Sequence, residues 1–153
     1  MSSKTNRKFD FILERLPYSE PFLFVDEINS VSEEGIAGTY TFPPDSYFYA
    51  GHFKDHPVTP GVILTECMAQ IGVVSLGIFL LKNSGSLETN DLKIAMSESN
   101  ITYLLPVCPG EKVNVVSEKT YFRFGKLKCK VKMLNAKNES VCEGVISGMV
   151  VAY

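Results

Sequence analysis

Two side chains able to move protons stand in one short segment, "FYAGHFKDHPVTPGVILTECMAQ", residues 48–70. Glu66 lies among Ile63, Leu64, Cys67, Met68 and Ala69, so its carboxyl is set in apolar surroundings. A carboxyl taken out of water has its pKa raised and can stay protonated near neutral pH. That is what a general acid requires. A structural reading stands beside it: Gln70, four residues on and on the same helical face, can simply hold Glu66 by a hydrogen bond. His52, between Gly51 and Phe53, precedes the helix in a loop, where an imidazole can serve as a base at cellular pH or as an ordinary satisfied histidine. His56, in the polar turn "KDHP", reads as a turn residue. The third element is Gly61. With Thr59 as N-cap and Pro60 at the first helical position, Gly61 has an N–H without an intrahelical partner, at the positive end of the helix. A carbonyl oxygen placed there would be polarised, and glycine lets it approach closely. Pro60-Gly61 can equally do no more than start a helix. A base, an acid and an oxyanion donor in an apolar setting fit proton abstraction next to a carbonyl with expulsion of a leaving group. They do not fit a metal site, since Glu66 is sunk in the helix and no second carboxylate is near.

The elements that must position these groups can be read from period and punctuation. Phe9, Ile12, Leu13 and Leu16 recur at helical spacing, and Pro17 ends that short helix. Residues 22–31 and 35–42 read as strands around the turn "SEEG", and "PPDSYFYAGHFKDHP" as an irregular aromatic loop. A long helix follows to about Lys82. It is apolar on nearly every side and must therefore be enclosed. "NSGSLETND" reads as a surface loop. Beyond it lie strands over 92–101, 112–122, 126–134 and 140–151. The clearest is "KLKCKVKM", with Lys126, Lys128, Lys130 and Lys132 on one face and Leu127, Cys129, Val131 and Met133 on the other. These predict one α+β domain over 1–153, with an antiparallel sheet of about six strands wrapped over a central helix. One sheet cannot cover such a helix on all sides, so a second subunit is expected to complete the burial.

Composition narrows the function. The chain has 153 residues and a formal net charge of −2, which gives no bulk attraction to nucleic acid or anionic membrane. Residues 62–81 approach the length of a membrane span. Thr65, Glu66, Gln70 and Ser75 interrupt them, and an ionisable group in mid-span costs about 2.5 kcal/mol or more. A protein-buried helix is expected, with no membrane span. Cys67, Cys108, Cys129 and Cys142 show no metal-ligand spacing and read as buried free thiols of a reducing compartment. The N-terminus has no apolar signal core, so a cytoplasmic location is expected.

With those residues in place, "GHFKDHPVTPGVILTECMAQ" is similar to the signature of the β-hydroxyacyl-[acyl-carrier-protein] dehydratases, which have the hotdog fold. Upstream, "LPYSEPFLFVDEI" resembles that family's "LPHRxPFLLVDRV", and downstream "ITYLLPVCPGEKV" resembles its "F-x-x-P-V-x-P-G-D". The resemblance covers about residues 10–151. It implies that His52 is the catalytic histidine and Glu66 the catalytic carboxylate, glutamate being typical of the branch that dehydrates without isomerising. It implies that the Gly61 N–H holds the thioester carbonyl and that the Val58 carbonyl orients the histidine. It further implies no metal or organic cofactor, and a homodimer or trimer of dimers in which histidine and carboxylate come from different subunits. The acyl tunnel would be lined by Phe48, Phe53, Val62, Ile63 and Ile94. The partner would be an acidic acyl carrier protein, docked on basic groups among Lys54, Arg123, Lys126 and Lys128; the lysine ladder also reads as a solvated face that discourages edge pairing. Four positions depart from the family pattern. Tyr18 stands for a histidine, Lys54 for a proline, Leu105 for a basic residue, and Ile94 for a gating tyrosine. They leave the catalytic pair intact and point to substrate differences, in fatty-acid synthesis or a specialised polyene or pigment route. A hotdog thioesterase and a non-catalytic acyl-binding subunit are the competing expectations.

Overall fold

A computed structural model of the chain describes residues 7–86 and 92–152. Residues 1–6 and most of the expected "NSGSLETND" loop lie outside the described residues. The first helix is Asp10–Arg15 (α1), preceded by a 3-10 turn at Arg7–Phe9. Strands β1 (Glu27–Ser32) and β2 (Gly35–Thr41) form a hairpin. The long helix runs from Gly61 to Asn83, and strands β3 (Leu92–Tyr103), β4 (Lys112–Arg123), β5 (Lys126–Leu134) and β6 (Ser140–Ala152) follow. All described pairings are antiparallel, and the sheet order is β1-β2-β4-β5-β6-β3. Along β5, Leu127, Cys129, Val131 and Met133 are buried and the lysines face out, as the alternation predicts. Their inner faces, with those of the neighbouring strands, pack on the long helix. That helix has the length and apolarity of a membrane span, yet 83% of its most apolar window is buried inside the protein.

Four expectations need correction, each for a physical reason. The segment before β1 is not strand from residue 22. There the backbone pairs with a side chain: Phe24 N–H donates to Gln70 Oε1 at 2.8 Å, and Gln70 Nε2 donates to Phe22 O at 3.0 Å. The Gln70 amide thus satisfies the groups that a neighbouring strand would otherwise pair. Thr59 is not the helix cap. Pro60 occupies that position, and the Thr59 hydroxyl is spent on Tyr49 Oη at 2.6 Å, its N–H on Val107 O at 2.9 Å. The long helix is not uniform. Gly61–Ala69 (α2) and Leu76–Asn83 (α3) are α-helical, but Gln70–Ser75 between them is a π-helical segment. Hydroxyls take up carbonyls there, Ser75 Oγ donating to Gln70 O at 2.7 Å and Ser117 Oγ to Gly72 O at 2.8 Å. Finally, Cys108 is exposed in a turn, whereas Cys67, Cys129 and Cys142 are buried.

Candidate active site

His52 is held by its own loop. The Val58 N–H donates to His52 O at 2.8 Å, and His52 Nδ1 lies 2.9 Å from Val58 O. A carbonyl only accepts, so Nδ1 carries the proton and Nε2 of the neutral ring keeps its lone pair. The Tyr49–Thr59 contact and the Thr59–Val107 bond tie both ends of this loop to the body of the protein. Phe53 stacks on the imidazole with centroids 4.3 Å apart. The His52–Val58 contact is the one the resemblance implied.

Gly61 opens α2, and its amide is one of the first-turn N–H groups that no helix carbonyl can reach. The close neighbour of its Cα is a side chain of the protein itself. A Cβ there would come within 3.0 Å of the Tyr103 ring, and the Tyr103 hydroxyl bonds that of Thr65. Tyr103 therefore packs beside the helix start, and a side chain at Gly61 would have to shift its ring. Sequence reasoning missed it, because nothing in "ITYLLPVCPG" signals that β3 ends over the helix tip.

Glu66 is half-buried in α2, one turn before Gln70. Burial pushes its carboxyl above the ordinary carboxylate range, and the hydrogen bond from Gln70 Nε2, at 3.1 Å, opposes this only in part. Gln70, fully buried and fixed by Phe22 and Phe24, is thus the partner expected from the i+4 spacing. Glu66 opens into a cavity of about 300 Å³, whose lining includes Tyr18, Ala69, Val73, Ile94 and Met96. Glu66, Ala69 and Val73 share a helix face, so the cavity follows the helix for about 10 Å. Burial, with the Glu66 carboxyl adding to it, raises the Tyr18 phenol and keeps it a hydrogen-bond donor.

Of the expected tunnel residues only Ile94 lines this cavity. Phe48 and Ile63 pack in or against the core, while Phe53 and Val62 are exposed at 60% and 74%. His52 does not line the cavity either, so within one chain the imidazole and the carboxyl do not share a chamber. Ile94 fits between two glycines. A Cβ at Gly77 would fall 2.0 Å from its Cδ1, and one at Gly148 2.6 Å from its Cγ2. Gly77→Ala should push Ile94 into the cavity it lines. Chemical denaturation should register a stability loss of about 1–3 kcal/mol, and the usable cavity should shorten.

A family model described as "FabA-like domain" matches residues 16–146. The protein "3-hydroxyacyl-[acyl-carrier-protein] dehydratase FabZ" of Geobacter metallireducens is 35% identical over 105 residues, which cover 68% of this chain and 67% of that protein. Its namesake from Erwinia tasmaniensis is 31% identical over 152 residues, covering 90% of this chain and 98% of that one. Among solved structures, the dehydratase heterocomplex ApeI:P of Xenorhabdus doucetiae superposes with a TM-score of 0.74 at 12% identity, covering 90% of this chain and 89% of that one. A hypothetical thioesterase with coenzyme A from Streptococcus pneumoniae TIGR4 does so at 0.58 and 15% identity, covering 95% and 96%. At such identities the structures speak to the fold alone, which is the hotdog fold.

Proposed function

Since the chain belongs to the FabA-like family, with 3-hydroxyacyl-[acyl-carrier-protein] dehydratases as its relatives, we propose that it dehydrates a (3R)-3-hydroxyacyl thioester on an acyl carrier protein to the trans-2-enoyl thioester, using His52 and Glu66. His52 Nε2 takes the proton from C2. The electrons of that C–H bond form the C2–C3 double bond as the C3–O bond breaks. The departing hydroxyl takes the proton of Glu66 and leaves as water. The Gly61 N–H supports enolate character on the thioester oxygen. The observation that carries this reading is a carboxyl biased towards its acid form, lining a mostly apolar cavity that Tyr18 and Lys93 also line, and fixed by the buried Gln70 amide.

A site shared between two copies of the chain reconciles the separate placements of base and acid. The support is the edge of the sheet. Among the described residues β3 pairs with β6 on one side only, and its Ile94 and Met96 rim the Glu66 cavity. A long open edge strand is a liability that a second copy would relieve, bringing the partner's loop towards this cavity. Homodimer and trimer of dimers both satisfy that requirement. The route served is fatty-acid synthesis or a specialised polyene or pigment pathway, in the cytoplasm.

The test is a panel of 3-hydroxyacyl-carrier substrates incubated with the purified protein. Loss of one water by mass spectrometry, without release of free carrier thiol, is expected. Thiol release without an enoyl product would replace dehydration by thioester hydrolysis. Tight binding with no turnover on any chain length would make the chain an acyl-binding subunit.

A further inference from the structure

The β4–β5 hairpin breaks two rules at one residue. Its two-residue turn is Phe124-Gly125, with φ of 51° and 73°. Positive φ at both positions is the primed hairpin turn, which favours asparagine or aspartate before glycine. A bulky side chain in that left-handed region is strained. The Phe124 ring is also 97% exposed, so nothing it packs against within the chain offsets the strain. Local rules are broken in this way where a residue serves something outside the fold.

The surroundings specify that something. Arg123 and Lys128 lie over the Tyr121 ring, at 4.3 and 5.9 Å from its centroid, and Lys126 pairs with Glu98 at 3.8 Å. The bare ring is thus flanked along the hairpin by three basic residues, with Glu98 beside one of them. It also stands at a particular end of the sheet. Gly125 O accepts from Val150 N–H at 2.7 Å, and Val150 is the register partner of Ile94, which lines the Glu66 cavity. Two strand spacings, about 10 Å, separate β5 from β3. We propose that Phe124 is the apolar anchor of a docking surface for an acidic carrier protein, inserting its ring while Arg123, Lys126 and Lys128 meet the partner's carboxylates. This rests on the dehydratase reading and adds to it a residue that basic charge alone does not reveal. A carrier fits better than an anionic membrane, because a tethered acyl group has to reach a cavity at this end.

Phe124→Asn tests this, because asparagine is the residue the turn itself prefers. The melting temperature should hold or rise. kcat/KM for the carrier-linked substrate should fall about tenfold through KM, with kcat/KM for the N-acetylcysteamine thioester of the same acyl group unchanged. Titration of the acylated carrier should show the same loss of affinity without relying on turnover. Equal carrier affinity in variant and wild type overturns the proposal. So does an equal loss on both thioesters, which would make the ring a structural support, and so does binding to phosphatidylglycerol vesicles that Phe124→Asn abolishes while carrier affinity stays. If the wild type dehydrates neither thioester but Phe124→Asn still weakens carrier binding, dehydration falls and the docking surface stands.

Discussion

Glu66→Gln should lower dehydration turnover by about two orders of magnitude or more in a protein that still folds. The variant keeps the side chain's shape and can still accept from Gln70 Nε2, so the clamp formed with Phe22 and Phe24 persists. What it loses is the proton that leaves with the hydroxyl. The pH dependence separates the two contributions. Burial raises the folded-state carboxyl above its unfolded value. Wild-type activity should therefore decline on the alkaline side as pH rises through that raised value, above the ordinary carboxylate range, and the residual activity of Glu66→Gln should lack this limb. Stability follows the same sign. A carboxyl raised on folding stabilises the native state fully below its unfolded pKa, and this contribution is lost as pH rises through the folded one. Glutamine mimics the protonated form at every pH, so above that window the variant should be the more stable of the two. Stopped-flow turnover and denaturant unfolding across pH check both halves. A variant that keeps wild-type turnover removes Glu66 from the chemistry.

His52→Ala should cost about as much, two orders of magnitude or more, with little change in fold. Its ring is positioned by backbone of its own loop, and the other ties of that loop, Tyr49 to Thr59 and Thr59 to Val107, remain in the variant. The more telling experiment mixes the two inactive proteins. If each site takes its imidazole from one copy and its carboxyl from the other, a dimer of His52→Ala with Glu66→Gln has one doubly impaired site and one intact site. Random reassortment in a two-fold dimer should then restore about a quarter of wild-type activity. No recovery after subunit exchange, verified by tagging one variant, would place base and acid within a single chain.

Much of this was legible in the residues because it depends on local periodicity. The β5 lysine alternation, the enclosed helix and the Glu66–Gln70 pair all follow from spacing along one element, and the structure has each of them. The misreadings occur where a distant residue competes for a local group. Thr59 has the chemistry of a cap, but the Tyr49 hydroxyl and the Val107 carbonyl claim it. Residues 22–26 have the composition of a strand, but Phe22 and Phe24 pair with the side chain of the distant Gln70. Tyr103 packs beside Gly61 only because β3 ends at the helix tip. The cavity itself is made by α2, the π-helical segment after it, β3, β6 and the Pro17–Tyr18 segment together, and no period in one segment encodes that junction.

The π-helical stretch from Gln70 to Ser75 also fixes the phase between the two halves of the central helix. An α-helix turns about 100° per residue, so a π-type expansion lodges what amounts to an extra residue between the carboxyl-bearing half and the half that seats Ile94. Winding these same six residues as regular α-helix would give a tidier element and a less useful protein: with α3 still seated on the sheet, Glu66 would swing by about a quarter circle, away from the chamber it now faces.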